Sequence, residues 1–445
     1  MPAFHGTMKV NEQGHLEIGG CDTIKLAKRF GTPLYVMDEN EIRRRCREYK
    51  QAFQQRYPNA EVLYACKAFT SLAMCQLIEQ EGMGLDVVSG GEVYIALQAG
   101  FPADRIYVHG NNKSREELSI AIDAGVKKIV VDNFWELEML MDLLTEKEEV
   151  VDILLRITPE VQASTHDYIQ TGQQDSKFGF SLHDGGAITA VEQALRTDRI
   201  NLQGIHCHIG SQIFNPESFQ ATASVALDFF RTVKEQYNYV LNVLDLGGGL
   251  GIRYVEDQNP PSIDEFVGAI TNTVIKKANE FQLPLPKIIL EPGRSITGEA
   301  GTTLYSIGSK KEIPDIRTYY AVDGGMPNNP RPALYDAEYE AVVANKVNQE
   351  PTQKITVAGK CCESGDILIW DLAVPGIDHE DVLAVLCTGA YTYSMSSNYN
   401  GLPRPAMVLV REGKAKLIIQ RETYKDIIKN HLRLEEYQVF TEHWS

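Results

Sequence analysis

Eight short apolar runs, separated by stretches that carry helix signals, constrain this chain more than any other feature. They are Val62–Ala68, Leu85–Ser89, Ile106–Gly110, Lys128–Asp132, Val151–Ile157, Leu202–Gly210, Val240–Leu246 and Lys287–Glu291. Most are nearly continuous Val, Ile and Leu, as strands buried on both faces should be. Ser114 with Glu117 forms a capping box, and Gly125 ends that helix. Asn215-Pro216 opens another helix as N-cap and first-turn proline. Ser262 with Glu265 opens a third, whose Ile263, Phe266, Val267, Ile270, Val274, Ala278 and Phe281 share one face. Repeated β-α units of this kind predict a (β/α)8 barrel, and the span fits the roughly 250 residues usual for that fold. An open doubly wound sheet is the competing arrangement. The long gap between the fifth and sixth runs holds the polar segment Gln162–Phe180, expected to be an active-site loop.

After Gly298 the helical periodicity fades. Strand-like runs take over at Thr302–Ile307, Thr318–Val322, Tyr339–Ala344, Lys354–Ala358, Asp366–Ile369, Val382–Cys387, Met407–Val410 and Lys416–Gln420. Glu412-Gly413 between the last two reads as a hairpin turn. The expectation is a second, mostly β domain, a β-barrel or sandwich that also takes the N-terminal segment. The division is a barrel over 39–296 and a β domain from 1–38 and 297–445. Leu16–Tyr35, which precedes the first barrel helix, is expected to pack with it.

Charge narrows the function. Lys and Arg total 43 against 60 Asp and Glu, a net charge of −17. That argues against a binder of nucleic-acid backbones or of anionic membranes, but a single pocket can still be locally basic. No apolar stretch is long enough for a transmembrane helix, and Met1–Gly20 lacks the pattern of a signal peptide. The eight cysteines form no C-x-x-C pair, so no metal cluster is indicated. Scattered thiols in a chain of 445 residues fit a reducing cytoplasm.

Barrel enzymes place their chemistry at the C-terminal ends of the strands. Those ends carry Lys67, Ser89-Gly90-Gly91, His109-Gly110-Asn111, Arg156, His208, Gly247-Gly248-Gly249 and Glu291-Pro292-Gly293-Arg294. A lysine, a histidine, a carboxylate, an arginine and a triglycine together fit pyridoxal phosphate (PLP). Lysines in apolar surroundings serve in Schiff bases, although a lysine just past a strand end also reaches water. The Gly247–Gly249 run lets backbone N–H groups approach a phosphate, or makes a tight turn. It lacks the dinucleotide G-x-G-x-x-G spacing, and Gly359-Lys360 is not a Walker motif. Glu291 suits a pyridine nitrogen, or an ion pair with Arg294. His206 and His208 alternate along one strand, placing both on one face; ring stacking or core packing is favoured over metal. In the β domain, Cys361–Asp366 offers thiols beside an acid, and Arg331–Tyr335 a guanidinium and a phenol.

In this order along the chain, these stretches resemble the alanine-racemase-type, fold III PLP-dependent decarboxylases, and within them the diaminopimelate decarboxylases. The resemblance runs from Gly31–Val36 to Gly401–Pro405. It rests on Tyr64–Ala68, Asp86–Glu92, His206–Gln212, Asp245–Gly251, Glu291–Arg294, Arg331–Tyr335, Cys362–Asp366 and Gly389–Tyr391. It implies that Lys67 bonds the cofactor covalently and that His208 stacks on its ring. It puts Ser211, Gly247, Gly248, Gly249 and Arg294 around the phosphate and Glu291 at the pyridine nitrogen. Arg294, Arg331 and Tyr335 match positions for a distal carboxylate, and Glu363 a position for the distal ammonium. Cys362 matches the proton donor, and Tyr391 a contact shared by cofactor and substrate. A homodimer is implied, with the Cys-Glu loop supplied by the partner chain. Phe69 and Met326–Pro330 depart from the commonest pattern, which bears on subfamily. The implied reaction is decarboxylation of meso-2,6-diaminopimelate to L-lysine, the last step of lysine biosynthesis. A related decarboxylase of ornithine, arginine or carboxynorspermidine, or a PLP-binding protein without catalysis, are the alternatives.

Overall fold

The computed structural model describes residues 3–126, 128–161, 176–379 and 381–434. All eight predicted barrel strands form: β1 (Ala60–Ala65), β2 (Gly84–Val87), β3 (Ile106–Val108), β4 (Lys128–Val131), β5 (Val151–Thr158), β6 (Ile200–His206), β7 (Val243–Asp245) and β8 (Lys287–Leu290). Neighbours pair in parallel, and β8 returns to β1 through Ile288↔Ala60, so the sheet closes on itself. Closure excludes the open doubly wound arrangement. Leu63, Tyr107, Val130, Leu154, Val243 and Ile289 make a small cluster of their own, contributed by six of the strands. The strands' other faces belong to the large core under the helices. That two-sided burial is why the runs read as continuous apolar sequence.

The three helix starts found in the sequence are real. Ser114/Glu117 and Ser262/Glu265 are complete capping boxes, and Asn215 caps a helix that begins at Pro216. The eighth strand leads only into the short helix Arg294–Thr297. The helix before the barrel, Glu39–Arg56, packs against both Arg294–Thr297 and Ile263–Glu280 and so closes the outer ring. The ring position that β8 leaves nearly empty is therefore filled from the N-terminal side of the barrel.

The second domain is β, as expected, and its organising element is β9 (Gly301–Ile313). Its main sheet has the order Ile367–Val374, Gln353–Ala358, Arg317–Val322, β9, Leu34–Asp38, Ala406–Arg411, Lys414–Ile419. Ala341–Val343 and Val382–Val385 pair beside β9. Glu412 and Gly413 both take positive φ between the paired residues Arg411 and Lys414, which makes the two-residue hairpin. Leu16–Tyr35 corrects the reading that it packs with the first barrel helix. Leu16, Ile18, Leu26 and Leu34 are buried in the β-domain core, because Leu34–Asp38 is held between β9 and Ala406–Arg411. Of the expected loop Gln162–Phe180, residues 162–175 lie outside the described residues. Its end is fixed: Phe178 stacks under the Arg156 guanidinium at 4.1 Å, and the Gly179 N–H donates to Asp132 at 3.1 Å.

Candidate active site

Strand β1 ends at Ala65, three residues before the end of its apolar run. Lys67 therefore rides in the turn beyond the strand, closed by Ala68 N–H donating to the Ala65 carbonyl at 3.1 Å. The turn is clamped from the β domain, since the Tyr391 N–H and the Ser394 hydroxyl both donate to the Ala68 carbonyl, at 2.8 and 3.0 Å. Lys67 Nζ lies 3.3 Å from Asp86 Oδ2 on β2. Burial works against the ammonium, but Asp86, then Tyr391 and Glu291, outweigh it and hold the Lys67 pKa above the ordinary lysine value.

Glu291 sits just past β8, and two imidazoles from across the mouth face it. His109 Nε2 is 2.8 Å from Oε1 and His206 Nε2 is 3.2 Å from Oε2. Burial favours the neutral acid, yet His109 and His206 more than offset it and keep Glu291 ionised well below the usual carboxylate range. Asp245 behaves oppositely: burial first, then the charge of Glu291, push it well above that range. Burial also pulls His206 down to about 4, against the opposing pull of Glu291. His208 is lowered well below its ordinary value, first by burial and then by Lys67 and Arg156. Burial thus works against charge on Asp245, His206 and His208, while Glu291 stays ionised among them and Asp86 faces Lys67.

The triglycine is needed for a reason the sequence did not suggest. A Cβ on Gly247 would lie 2.7 Å from His208 Nδ1, one on Gly248 2.2 Å from the Glu291 carbonyl, and one on Gly249 2.6 Å from the Gly210 carbonyl. The space that side chains would fill is already taken by the protein, which packs His208 and Glu291 against the run. Gly247 and Gly249 also adopt φ of +64° and +120°.

Arg294 is buried and donates to Ser211 Oγ from Nε at 3.2 Å and from Nη2 at 3.0 Å. Its Nη1 donates to Tyr254 Oη at 2.6 Å, and its guanidinium lies 4.7 Å from the Tyr391 ring. The Glu291–Arg294 ion pair considered from sequence does not form: Glu291 is engaged by histidines and Arg294 by hydroxyls. Arg331, from the short helix Arg331–Tyr335, is equally buried and donates to Tyr339 Oη at 2.5 Å. Its guanidinium lies 4.8 Å from the Tyr254 ring. Burial opposes its charge, but Tyr254 and Tyr339 overcome this and raise its pKa. Tyr335 is half-buried at the other end of the same helix.

Cys362 and Glu363 are not brought to this mouth by their own chain. Both are exposed. The Cys362 N–H donates to Asn400 Oδ1 at 2.7 Å, and Glu363 Oε1 accepts from the Gly365 N–H at 3.3 Å. Asp366 shapes the loop by accepting from the N–H groups of Met326 and Cys361. Sequence reasoning gave no role to Asp86, His109, Asp245, Tyr254 or Tyr339. Asp86 and Asp245 lie within family-like stretches and His109 at a strand end, so a signal existed for those three. Tyr254 and Tyr339 are lone loop aromatics with no local signal.

Buried polar atoms without a hydrogen-bond partner concentrate here, including Asp86 Oδ1, His206 Nδ1 and Asp245 Oδ2. Native proteins seldom leave such atoms unmatched unless a ligand or water meets them. Residues 39–298 match the family "Pyridoxal-dependent decarboxylase, pyridoxal binding domain". The diaminopimelate decarboxylase of Bacillus subtilis is 54% identical over 426 residues, 96% of this chain and 97% of that one. That of Halalkalibacterium halodurans is likewise 54% identical, with the same coverage. Among solved structures, the diaminopimelate decarboxylase of M. jannaschii in co-complex with L-lysine is 36% identical. It has a TM-score of 0.90 and covers 97% of this chain and 99% of that one. The residues present fit PLP: an acid-paired lysine for its aldehyde, a buried carboxylate held ionised by two histidines for its ring nitrogen, and a guanidinium with a serine for its phosphate. The chain belongs to the pyridoxal-dependent decarboxylases and, within them, to the diaminopimelate decarboxylase family.

Proposed function

We infer that this protein decarboxylates meso-2,6-diaminopimelate to L-lysine and CO2, the closing reaction of lysine biosynthesis. The observation that carries the reading is Arg331: a buried guanidinium beside the barrel mouth whose hydrogen-bonded partner is a phenol, with no described carboxylate bonded to it. A buried cation lacking an acid is costly unless a ligand supplies the anion. Diaminopimelate has a second carboxylate to offer; ornithine and arginine do not. When bound, PLP supplies the electron-withdrawing ring that takes up the charge left on Cα as CO2 departs.

The protein's part is positioning and proton control. Lys67 would hold the cofactor covalently and give up its place to the substrate amine, with Asp86 close enough to share its proton. Glu291, kept anionic by its histidines, would hold the ring-nitrogen proton. His208 would pack on the ring face. Ser211, Gly247, Gly248, Gly249 and Arg294 would bound the phosphate side. Arg331, with Arg294 and Tyr335, would receive the distal carboxylate, and Tyr391 would contact both cofactor and substrate. Glu363 would hold the distal ammonium and Cys362 would protonate Cα. Both are exposed on their own chain, which supports donation of this loop to the site of a second copy in a homodimer. We further propose the division into 39–296 as barrel and 1–38 with 297–445 as β domain, and cytoplasmic residence. Among the described residues no helix is long and apolar enough to cross a membrane.

The test is CO2 release with PLP present, on meso-diaminopimelate, ornithine, arginine and carboxynorspermidine in parallel. Turnover confined to, or strongly favouring, diaminopimelate is expected; none on diaminopimelate overturns the reading.

A further inference from the structure

The two anion sites of this reading meet at one side chain. Arg294 comes from the barrel and Arg331 from the β domain, each only 6% exposed. Their hydrogen-bonded partners are neutral hydroxyls: Ser211 and Tyr254 for Arg294, Tyr339 for Arg331. Two like charges are thus buried near one another, and the ring of Tyr254 lies close to both. Its face lies 4.8 Å from the Arg331 guanidinium carbon and 5.7 Å from that of Arg294. Its oxygen accepts from Arg294 at 2.6 Å. Tyr339 meets it edge-on, with centroids 5.3 Å apart and ring planes at 82°. Tyr254 is itself pinned, since its N–H donates to Gln258 Oε1 at 2.9 Å.

We propose that Tyr254 is a positioning residue that serves both guanidiniums, its oxygen orienting Arg294 toward the phosphate and its ring face orienting Arg331 toward the distal carboxylate. The inference rests on the functional reading above. The two duties use different parts of one side chain and so are separable. An electron-rich ring face attracts a desolvated guanidinium. A phenol oxygen accepting from a charged donor makes a stronger hydrogen bond than a neutral pair. Tyr254→Phe removes only the oxygen; Tyr254→Leu removes both. Tyr339→Phe removes the hydrogen bond to Arg331 and leaves Arg294 untouched.

The experiment uses the holoenzyme with two readouts. The first is the ratio of competitive inhibition constants for L-lysine and cadaverine, the same molecule without its carboxylate. The second is the rate of PLP loss on dialysis, followed by absorbance. The wild type should favour lysine. Tyr254→Leu should lower that preference roughly ten-fold or more and speed PLP loss. Tyr254→Phe, which keeps the ring face beside Arg331, should lower the preference less than Tyr254→Leu yet lose PLP roughly ten-fold faster than wild type. Tyr339→Phe should lower the preference while PLP loss stays at the wild-type rate. If the wild type favours lysine and Tyr254→Leu, folded by thermal melting, matches it in both readouts, the inference is overturned. It is also overturned if Tyr254→Phe and Tyr254→Leu lower the preference equally, because the ring face then does nothing. A wild type that does not separate lysine from cadaverine removes the reading of Arg331 instead. PLP loss from Tyr254→Phe then still decides the Arg294 half, an unchanged rate refuting it.

Discussion

Gly248→Ala adds one methyl group at a position where the backbone tolerates any residue, since Gly248 is not among the glycines with positive φ. The added Cβ would lie 2.2 Å from the Glu291 carbonyl oxygen and 3.1 Å from its carbonyl carbon. To regain ordinary contact that carbonyl must retreat by about 1 Å. Glu291 has nowhere neutral to go, because its carboxylate is seated 2.8 Å from His109 and 3.2 Å from His206. A shift of that size at the residue proposed to meet the ring nitrogen should cost about 100-fold in kcat, and overpacking costs about 1–3 kcal/mol of stability. The assay is CO2 release from diaminopimelate at saturating PLP, with thermal melting alongside. Gly376→Ala is the control, because a Cβ there meets nothing within 4 Å. A folded Gly248→Ala enzyme with kcat within about three-fold of wild type would refute the argument that the glycine run positions Glu291.

Other perturbations probe other parts. Lys113 and Glu136 form an ion pair at 2.8 Å, each 1% exposed, so Glu136→Gln should cost about 3–5 kcal/mol in denaturant unfolding by stranding the ammonium; replacing both with apolar residues should cost less. His206 is held near 4, below its ordinary 6.5, so the folded state binds fewer protons than the unfolded chain. Its contribution is complete above 6.5 and is lost as pH falls toward 4; urea unfolding at about pH 7 and about pH 5 should show a smaller loss in His206→Gln than in wild type. Lys67→Ala should abolish the absorbance of covalently held PLP and decarboxylation together. Cys362→Ala should retain PLP and lose turnover, and decarboxylation at an unchanged rate would end its proposed role as proton donor.

Strands buried on both faces announce themselves in sequence, which is why every barrel run corresponds to a strand; the β-domain runs do so as well, although Lys414–Ile419 is not buried. Their ends do not, because the apolar pattern continues past the last ladder bond. Lys67 was read inside a strand that stops at Ala65. Residues clustered in one stretch, such as Glu291–Arg294, reveal that a site exists, but not their partners. The Glu291–Arg294 ion pair that this stretch also allowed gives way to contacts that come with barrel closure, which carries His109 and His206 to Glu291. Tyr254 and Tyr339 gain their importance where a barrel loop meets the β domain, and no local pattern marks such a meeting. The triglycine was legible as a turn, but its requirement for small residues comes from neighbours distant in sequence.

The strand Leu34–Asp38 has a consequence for how the molecule is made. It pairs with Gly301–Leu304 on one side and with Ala406–Val410 on the other. As the chain leaves the ribosome, this strand waits unpaired while every strand of the barrel is synthesised. Contacts so distant in sequence are slow to form, and an unpaired edge is open to pairing with other chains in the meantime. The β domain therefore closes last, around a barrel inserted into it, and no single cut in the chain releases that domain whole.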